Sequence, residues 1–133
     1  MWWAAVLTPP LRLAVPGMTA AAVVVALAGI AVEALGALEL LRNRTTVNPL
    51  EPCHASALVT TGVYRVTRNP IYVGDLAILI GWGLYLSNPF AIVVAFLFVP
   101  YIDRFQMRPE ERALSELFGA SYEDYRARVR RWI

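Results

Sequence analysis

An all-α integral membrane bundle of about three transmembrane helices, closing in a helical hairpin and a polar tail, is the fold this sequence predicts, and three observations predict it. First, the 133 residues are 58% hydrophobic, with a mean hydropathy of +0.52, above the roughly 45–50% apolar content of ordinary soluble domains. Second, the apolar residues come in blocks. Leu13 to Val32 runs twenty residues without a charge and Leu76 to Ile102 runs twenty-seven, where about twenty helical residues cross the hydrocarbon layer of a bilayer. Third, all twelve basic residues are arginine, and eleven fall between Arg42 and Arg68 or between Arg104 and Arg131. Two such runs are too many for the buried core of so short a chain, and the length sets one domain over residues 1–133.

Residues 1–17 carry Trp2, Trp3 and the Pro9-Pro10 pair. Tryptophan favours headgroup depth and proline interrupts helices, so this stretch is expected to be an interfacial lead-in. It opens without a basic region and closes without a small-residue cleavage motif, unlike a signal peptide. The first transmembrane helix is expected over 18–41, with small residues Ala20, Ala21, Ala22, Ala26, Gly29 and Gly36 that permit close helix packing, and Arg42 and Arg44 at its end. A polar loop follows over 42–70, punctuated by Asn48-Pro49, Glu51-Pro52 and Thr61-Gly62, which are turn signals. It is long for a mere connector, and loops of that length are often functional.

The second apolar run is interrupted at Ser87-Asn88-Pro89, and the residue before a proline is driven out of helical geometry. Residues 71–105 therefore read as a hairpin of two helices, 71–86 and 90–105, rather than one kinked span. The tail, 106–133, carries an apolar stripe of Leu114, Leu117, Phe118, Tyr122, Tyr125 and Val129 at helical spacing, with Gly119 as a break and arginines opposite. That pattern suits an interfacial helix. A hairpin returns the chain to the side it left, so loop and tail share one face with eleven arginines, and the positive-inside rule makes that face cytosolic. The absence of lysine beside abundant Ala and Val points to a GC-rich bacterial genome, hence to a bacterial plasma membrane.

One cysteine, Cys53, and one histidine, His54, cannot form an internal disulfide or fill a zinc site, so no metal is expected. Nothing marks nucleic acid as a partner. Chemistry is concentrated in three clusters on the shared face. These are the stretch from Leu58-Val59 through Gly62-Val63-Tyr64 to Arg68-Asn69-Pro70-Ile71-Tyr72-Val73-Gly74, the stretch Arg104 to Arg112 with Arg108-Pro109-Glu110-Glu111, and Phe118-Gly119-Ala120-Ser121-Tyr122-Glu123-Asp124-Tyr125.

In that order and spacing the clusters resemble the isoprenylcysteine carboxyl methyltransferase and phospholipid methyltransferase superfamily of membrane enzymes, over about residues 45–132. The family shows G-x-Y-x-x-x-R-H-P-x-Y-x-G leading into a hairpin, then a Glu-Glu pair, F-G-x-x-Y-x-x-Y and a basic end. Asn69 stands where the family has histidine and keeps hydrogen-bonding capacity without the ionisable group. The resemblance implies S-adenosyl-L-methionine as cofactor. It implies that the stretch from Leu58 to Tyr72 wraps the cofactor through Leu58, Val59, Gly62, Tyr64, Arg68, Asn69, Pro70, Tyr72 and Gly74, and that Glu110 and Glu111 close over it.

The residue types fit that chemistry. Carboxylates accept from ribose hydroxyls or pair with an ammonium, the start of the helix after Pro70 offers amides to a carboxylate, and Tyr64 and Tyr72 offer ring faces to adenine or a sulfonium. Methyl transfer requires alignment more than acid–base machinery. A carboxylate acceptor needs no base, and Arg104 is the guanidinium expected to orient it; an amine acceptor needs one, and Glu111 is the candidate. The acceptor is expected to be a lipophilic small molecule or lipid, either the carboxylate of a prenyl-type compound or a headgroup amine, with self-association left open.

Each cluster has a plainer counterpart. Glu110-Glu111 suits a solvated helix start, Arg68-Asn69-Pro70 a membrane-edge turn, and Tyr122 and Tyr125 packing or membrane anchoring. Glu33 lies nine residues before Arg42, about 13 Å into the layer by helical rise; it reads either as a polar wall of a substrate cavity or as an interhelical hydrogen bond. Two other functions fit parts of the sequence. Asn69-Pro70-Ile71-Tyr72-Val73-Gly74-Asp75 is similar to a turn of membrane sterol reductases, which use a nicotinamide cofactor, and a non-catalytic membrane scaffold would tolerate the missing histidine.

Overall fold

The computed structural model describes Trp3 and residues 16–45 and 55–133 of the chain. Most of the lead-in, with Trp2 and Pro9-Pro10, lies outside the described residues, as do Cys53, His54 and the Asn48-Pro49 and Glu51-Pro52 turns. Helix α1, Met18–Arg42, begins after Gly17 and is closed by Asn43, whose Nδ2 donates to the Glu39 carbonyl at 2.8 Å. After the loop and a short 3₁₀ turn, Gly62–Arg65, come α2, Pro70–Tyr85, and α3, Pro89–Ile102. A π turn, Asp103–Met107, carries α3 without a stop into α4, Arg108–Phe118, and α5, Ala120–Arg128, follows the bend at Gly119. No strand is formed among the described residues, and the all-α membrane bundle stands.

Membrane insertion follows from exposure combined with apolarity. Helix α1 has a mean hydropathy of 2.3 over its most apolar window, yet only 17% of that window is buried; α3 with its continuation to Phe118 gives 1.5 and again 17%. Val24, Leu27, Phe96 and Leu97 are each more than half exposed. A soluble core helix would have these side chains covered, whereas helices apolar all round and open to their surroundings belong in lipid. Helix α2 is shorter, at 16 residues, about 24 Å by helical rise, and is held by packing on α1.

That packing is backbone against backbone. Ala22, Gly29 and Gly36 form the buried side of α1, and Gly74 and Gly81 face them from α2. A Cβ on Gly29 would lie 2.7 Å from the Gly74 carbonyl oxygen, and one on Gly74 2.7 Å from that of Gly29, so glycine is required at both to let the helices touch. Glu33 meets the same seam, its Cβ 2.8 Å from where a Gly74 Cβ would stand.

The hairpin turns where the sequence is interrupted. Ser87 takes φ +51°, the buried Asn88 side chain accepts from Phe90 N–H at 2.9 Å, and Pro89 occupies the first turn of α3, a conventional proline position. Gly83 then lies against Ile92 across the pair. The main departure from expectation is beyond it. The second arm does not end near residue 105, because the π turn, with Arg108 N–H reaching back to the Asp103 carbonyl, continues the helix past Pro109, which has no N–H to give.

Candidate functional site

Two segments far apart in sequence meet where α2 begins and α4 leaves the apolar layer. The loop approaches α1 through Gly62, at φ +57°, which a side chain would be strained to adopt; a Cβ there would also stand 2.6 Å from Glu39. Glu39 accepts from Thr61 Oγ1 at 2.9 Å. The 3₁₀ turn then buries Tyr64, whose carbonyl accepts from the Tyr125 hydroxyl at 2.7 Å. Val59, Tyr64, Tyr122 and Tyr125 form one buried cluster, with Leu114, Phe118 and Val129 packed on it. The tail's apolar stripe, expected against lipid headgroups, thus mostly covers the protein's own loop, and only Leu117 of it is exposed.

The chain's end is stitched to the same loop. Arg68 N–H donates to the Arg130 carbonyl at 2.9 Å, and the Arg131 carbonyl accepts from Thr67 Oγ1 at 3.1 Å and from Asn69 Nδ2 at 2.9 Å. This carries the Arg131 guanidinium onto α4, where it grips both oxygens of Glu111, at 2.9 and 2.7 Å, and reaches Asp103 at 2.6 Å. Arg68 shares the Glu111 Oε1 that Arg131 Nε holds, Nη1 to Oε1 at 3.0 Å, and its Nη1 also donates to Tyr122 Oη at 3.3 Å. Tyr72 at the start of α2 donates to Glu110 at 3.1 Å.

Between loop, α2 and α4 lies a cleft of about 890 Å³ counted with its open mouth. Of the residues that the sequence singles out, Leu58, Val59, Tyr64, Arg68, Asn69, Pro70, Tyr72, Glu110 and Glu111 line it. Gly62 and Gly74 do not; they permit the close approaches that shape it. Arg104 also lies outside the lining, on the exposed side of the π turn, and Glu33 is outside it as well. Tyr122, Tyr125, Leu40, Ile71 and Leu114 are lining residues that the motifs did not mark as such. The tyrosines were legible as a stripe, but no local pattern says which surface a stripe covers. Arg131 was hidden among six tail arginines that look alike in sequence.

The electrostatics divide the acidic pair. Glu110 lies beyond the apolar stretch of α3, and burial pushes its carboxyl up to about 7, the neighbouring Glu111 charge adding to this while the Tyr72 hydrogen bond opposes it. Glu111 has both oxygens engaged by guanidiniums. Burial also raises the Tyr122 hydroxyl, with Glu111 adding and Arg68 opposing, and raises those of Tyr64 and Tyr125. Arg131 is held cationic, first by its hydrogen bonds to Glu111. Arg68 is nine-tenths buried, and its Nε is a buried donor without a partner, which costs about 1–3 kcal/mol when left unmade.

A sequence model of the phospholipid methyltransferase family matches residues 17–121. An uncharacterized protein of Haemophilus influenzae is 38% identical over 63 residues, 47% of this chain and 100% of its own. Protein-S-isoprenylcysteine O-methyltransferase of Saccharomyces cerevisiae is 43% identical over 75 residues, 54% of this chain and 30% of the yeast protein. The mouse protein of the same name is 40% identical over 79 residues, 59% of this chain and 28% of its own. The chain thus spans less than a third of the length of these two methyltransferases.

Proposed function

The chain belongs to the phospholipid methyltransferase family, and we propose that it transfers a methyl group from S-adenosyl-L-methionine to a lipophilic acceptor drawn from the bilayer, at the cytosolic face of a bacterial plasma membrane. The observation that carries this reading is the closure of α4 onto the loop. Tyr72 meets Glu110 and Arg68 meets Glu111 within 3.1 Å over a cleft with tyrosine walls.

The residues present fit the cofactor. Its carboxylate has a match in the orphaned Arg68 Nε, its ammonium in the Glu110 carboxyl, and its adenine in the rings of Tyr64, Tyr72 and Tyr122. When bound, it supplies a methyl group on an already activated sulfur. What the chain adds is alignment and exclusion of water, and attack geometry alone contributes about 7–11 kcal/mol. Glu111, fixed by Arg68 and Arg131, holds α4 at its distance from the loop. Its occupied oxygens make it a poor base for an amine acceptor, and Glu110, which Tyr72 addresses, is taken up by the cofactor's ammonium. A carboxylate acceptor needs no such base. With Arg104 outside the cleft, Arg68 is the guanidinium that addresses anions within it.

The relatives' names bear on the acceptor class: protein-S-isoprenylcysteine is a prenylated carboxyl compound and a phospholipid an amphiphile, both lipophilic. The test is calorimetric titration of the purified chain in detergent with S-adenosylhomocysteine and, separately, NADPH. Binding of the first alone, lost in Tyr72→Ala and Glu110→Ala, is the expected result. Binding of NADPH, or of neither, refutes the reading. Membranes incubated with methyl-labelled cofactor then report the acceptor by which lipid fraction carries label. Reporters fused at the C-terminus and inserted beside Ala55 are expected to surface together in the cytosol.

A further inference from the structure

A second and shallower pocket is lined by Arg108, Glu111, Arg112, Ser115 and Arg126, and of these only Glu111 also lines the cleft, whereas Tyr72 and Arg68 line the cleft alone. Arg108, Arg112 and Ser115 follow one another at i, i+4 and i+7 along α4, and Arg126 joins them from α5. The pocket is rich in cation. Arg108 is paired with Asp103 at 3.0 Å and Arg126 with Glu123 at 3.5 Å, both half exposed, while Arg112 makes no ion pair among the described residues. The acidic wall, Glu111, is already countered by Arg131 and Arg68, and Ser115 directs its hydroxyl at Glu123, at 2.7 Å.

Depth says what such a pocket meets. The exposed Tyr101 and Phe105 rings, 5.1 Å apart, sit where the apolar stretch ends, as interfacial aromatics do. Arg108 begins one turn later, and α4 runs away from the apolar layer. Helical side chains lean toward the N-terminus of their helix, so Arg108 and Arg112 lean back toward the bilayer, into the headgroup layer of about 5–8 Å beyond the hydrocarbon. Three arginines lining one pocket there match a phosphate oxyanion.

We propose that Arg108, Arg112 and Arg126 bind the phosphate of an anionic phospholipid headgroup, at a site distinct from the cleft between loop and α4. The bound lipid is not the methyl acceptor, since the two pockets share only Glu111 and neither Tyr72 nor Glu110 lines the second. It anchors α4 and α5 to the bilayer. The site does not depend on the methyl-transfer reading.

The test uses the full chain in neutral detergent, titrated calorimetrically with short-chain phosphatidylglycerol, short-chain phosphatidylcholine and inorganic phosphate. Wild type is expected to bind the glycerol lipid in preference to the other two. Each arginine near an anionic headgroup contributes roughly fivefold, so the Arg112→Gln/Arg126→Gln variant is expected to lose about 25-fold while its thermal unfolding midpoint in the lipid-free detergent matches wild type. Equal affinity of variant and wild type overturns the proposal. Equal binding of phosphatidylcholine overturns it too, because charge is then not what is read, and inorganic phosphate binding as tightly as the lipid overturns the lipid as occupant. A variant with a lowered midpoint is replaced by Arg112→Gln alone, whose fivefold loss decides in the same way.

Discussion

Removing the Arg131 side chain tests whether the chain's last residues hold the site together. The substitution is Arg131→Ala. Three charge-assisted hydrogen bonds disappear, two to Glu111 and one to Asp103, while the Arg131 carbonyl still accepts from Thr67 and Asn69, so the tail stays stitched in place. Stranding a buried charge costs about 3–5 kcal/mol, but that figure does not apply: Glu111 retains Arg68 at 3.0 Å and Asp103 retains Arg108 at 3.0 Å. The Arg131 side chain is also 32% exposed, so water replaces part of what is lost. A bond to a charged group contributes about 1.5–3 kcal/mol, and with both partners still paired the expected loss is about 2 kcal/mol. For a chain of this length that lowers the thermal midpoint by about 8 °C, read by tryptophan fluorescence in detergent. With Glu111 held by Arg68 alone, S-adenosylhomocysteine is expected to bind about tenfold more weakly, a loss of roughly 1.4 kcal/mol. A midpoint within about 1 °C of wild type, with unchanged ligand affinity, would refute the idea that the tail positions Glu111.

Glu110 gives a pH signature. Its folded-state value, about 7, lies above the ordinary 4.5, so the protonated form stabilises the fold; that contribution is present below about 4.5 and is lost as pH rises through about 7. Thermal midpoints of wild type measured between pH 4.5 and 8 should fall relative to those of Glu110→Gln, and parallel curves would contradict the assignment. Gly74→Ala places a methyl 2.7 Å from the Gly29 carbonyl oxygen and should cost about 1–3 kcal/mol by overpacking, seen as a lower midpoint in detergent. Arg104→Ala should leave S-adenosylhomocysteine affinity within about twofold of wild type, since 0.4 kcal/mol is the scale of a remote surface change; a tenfold loss would put Arg104 back in the cleft. Asn69→Asp turns a donor toward the Arg131 carbonyl into an acceptor and should cost about 1–3 kcal/mol, while Asn69→His, which keeps a ring N–H, should melt closer to wild type.

What was legible in the sequence is what local physics controls. The break at Ser87-Asn88-Pro89 is set by a proline and the residue before it, and the turn stands there. The small residues of α1 announced a close contact, and their seam with Gly74 and Gly81 is that contact. Seven of the nine marked residues that line the cleft do so because their motif sits on one short run ending in the first turn of α2, and the other two, Glu110 and Glu111, are neighbours on α4. The extension of the second arm past residue 105 was not legible, because charged residues after an apolar run mark the membrane's edge and not the helix's end. Nor was the partner of the tail stripe. Helical spacing assigns Leu114, Tyr122 and Tyr125 to one face, but a loop and a lipid surface are equally good apolar partners until the topology brings the loop beneath them.

The ion pairs explain why one arginine of the cleft matters more than its number suggests. Arg108, Asp103, Arg131, Glu111 and Arg68 form an alternating series that ties the π turn, α4, the chain's end and the loop to one another. Three cations against two anions leave one positive charge in excess. The outer cation, Arg108, is half exposed and screened by water, but the inner one, Arg68, is nine-tenths buried with its Nε unmet, so the unbalanced charge and the unmade hydrogen bond coincide at the cleft wall. Beside it stands Glu110, a carboxyl that its surroundings hold near neutrality and that a cation would ionise. A ligand carrying a carboxylate and an ammonium on one short backbone would relieve both at once, and the amino acid end of S-adenosyl-L-methionine is such a group. On this reading the cleft selects its cofactor by that end, and the apolar and aromatic walls are left to the adenine and the acceptor.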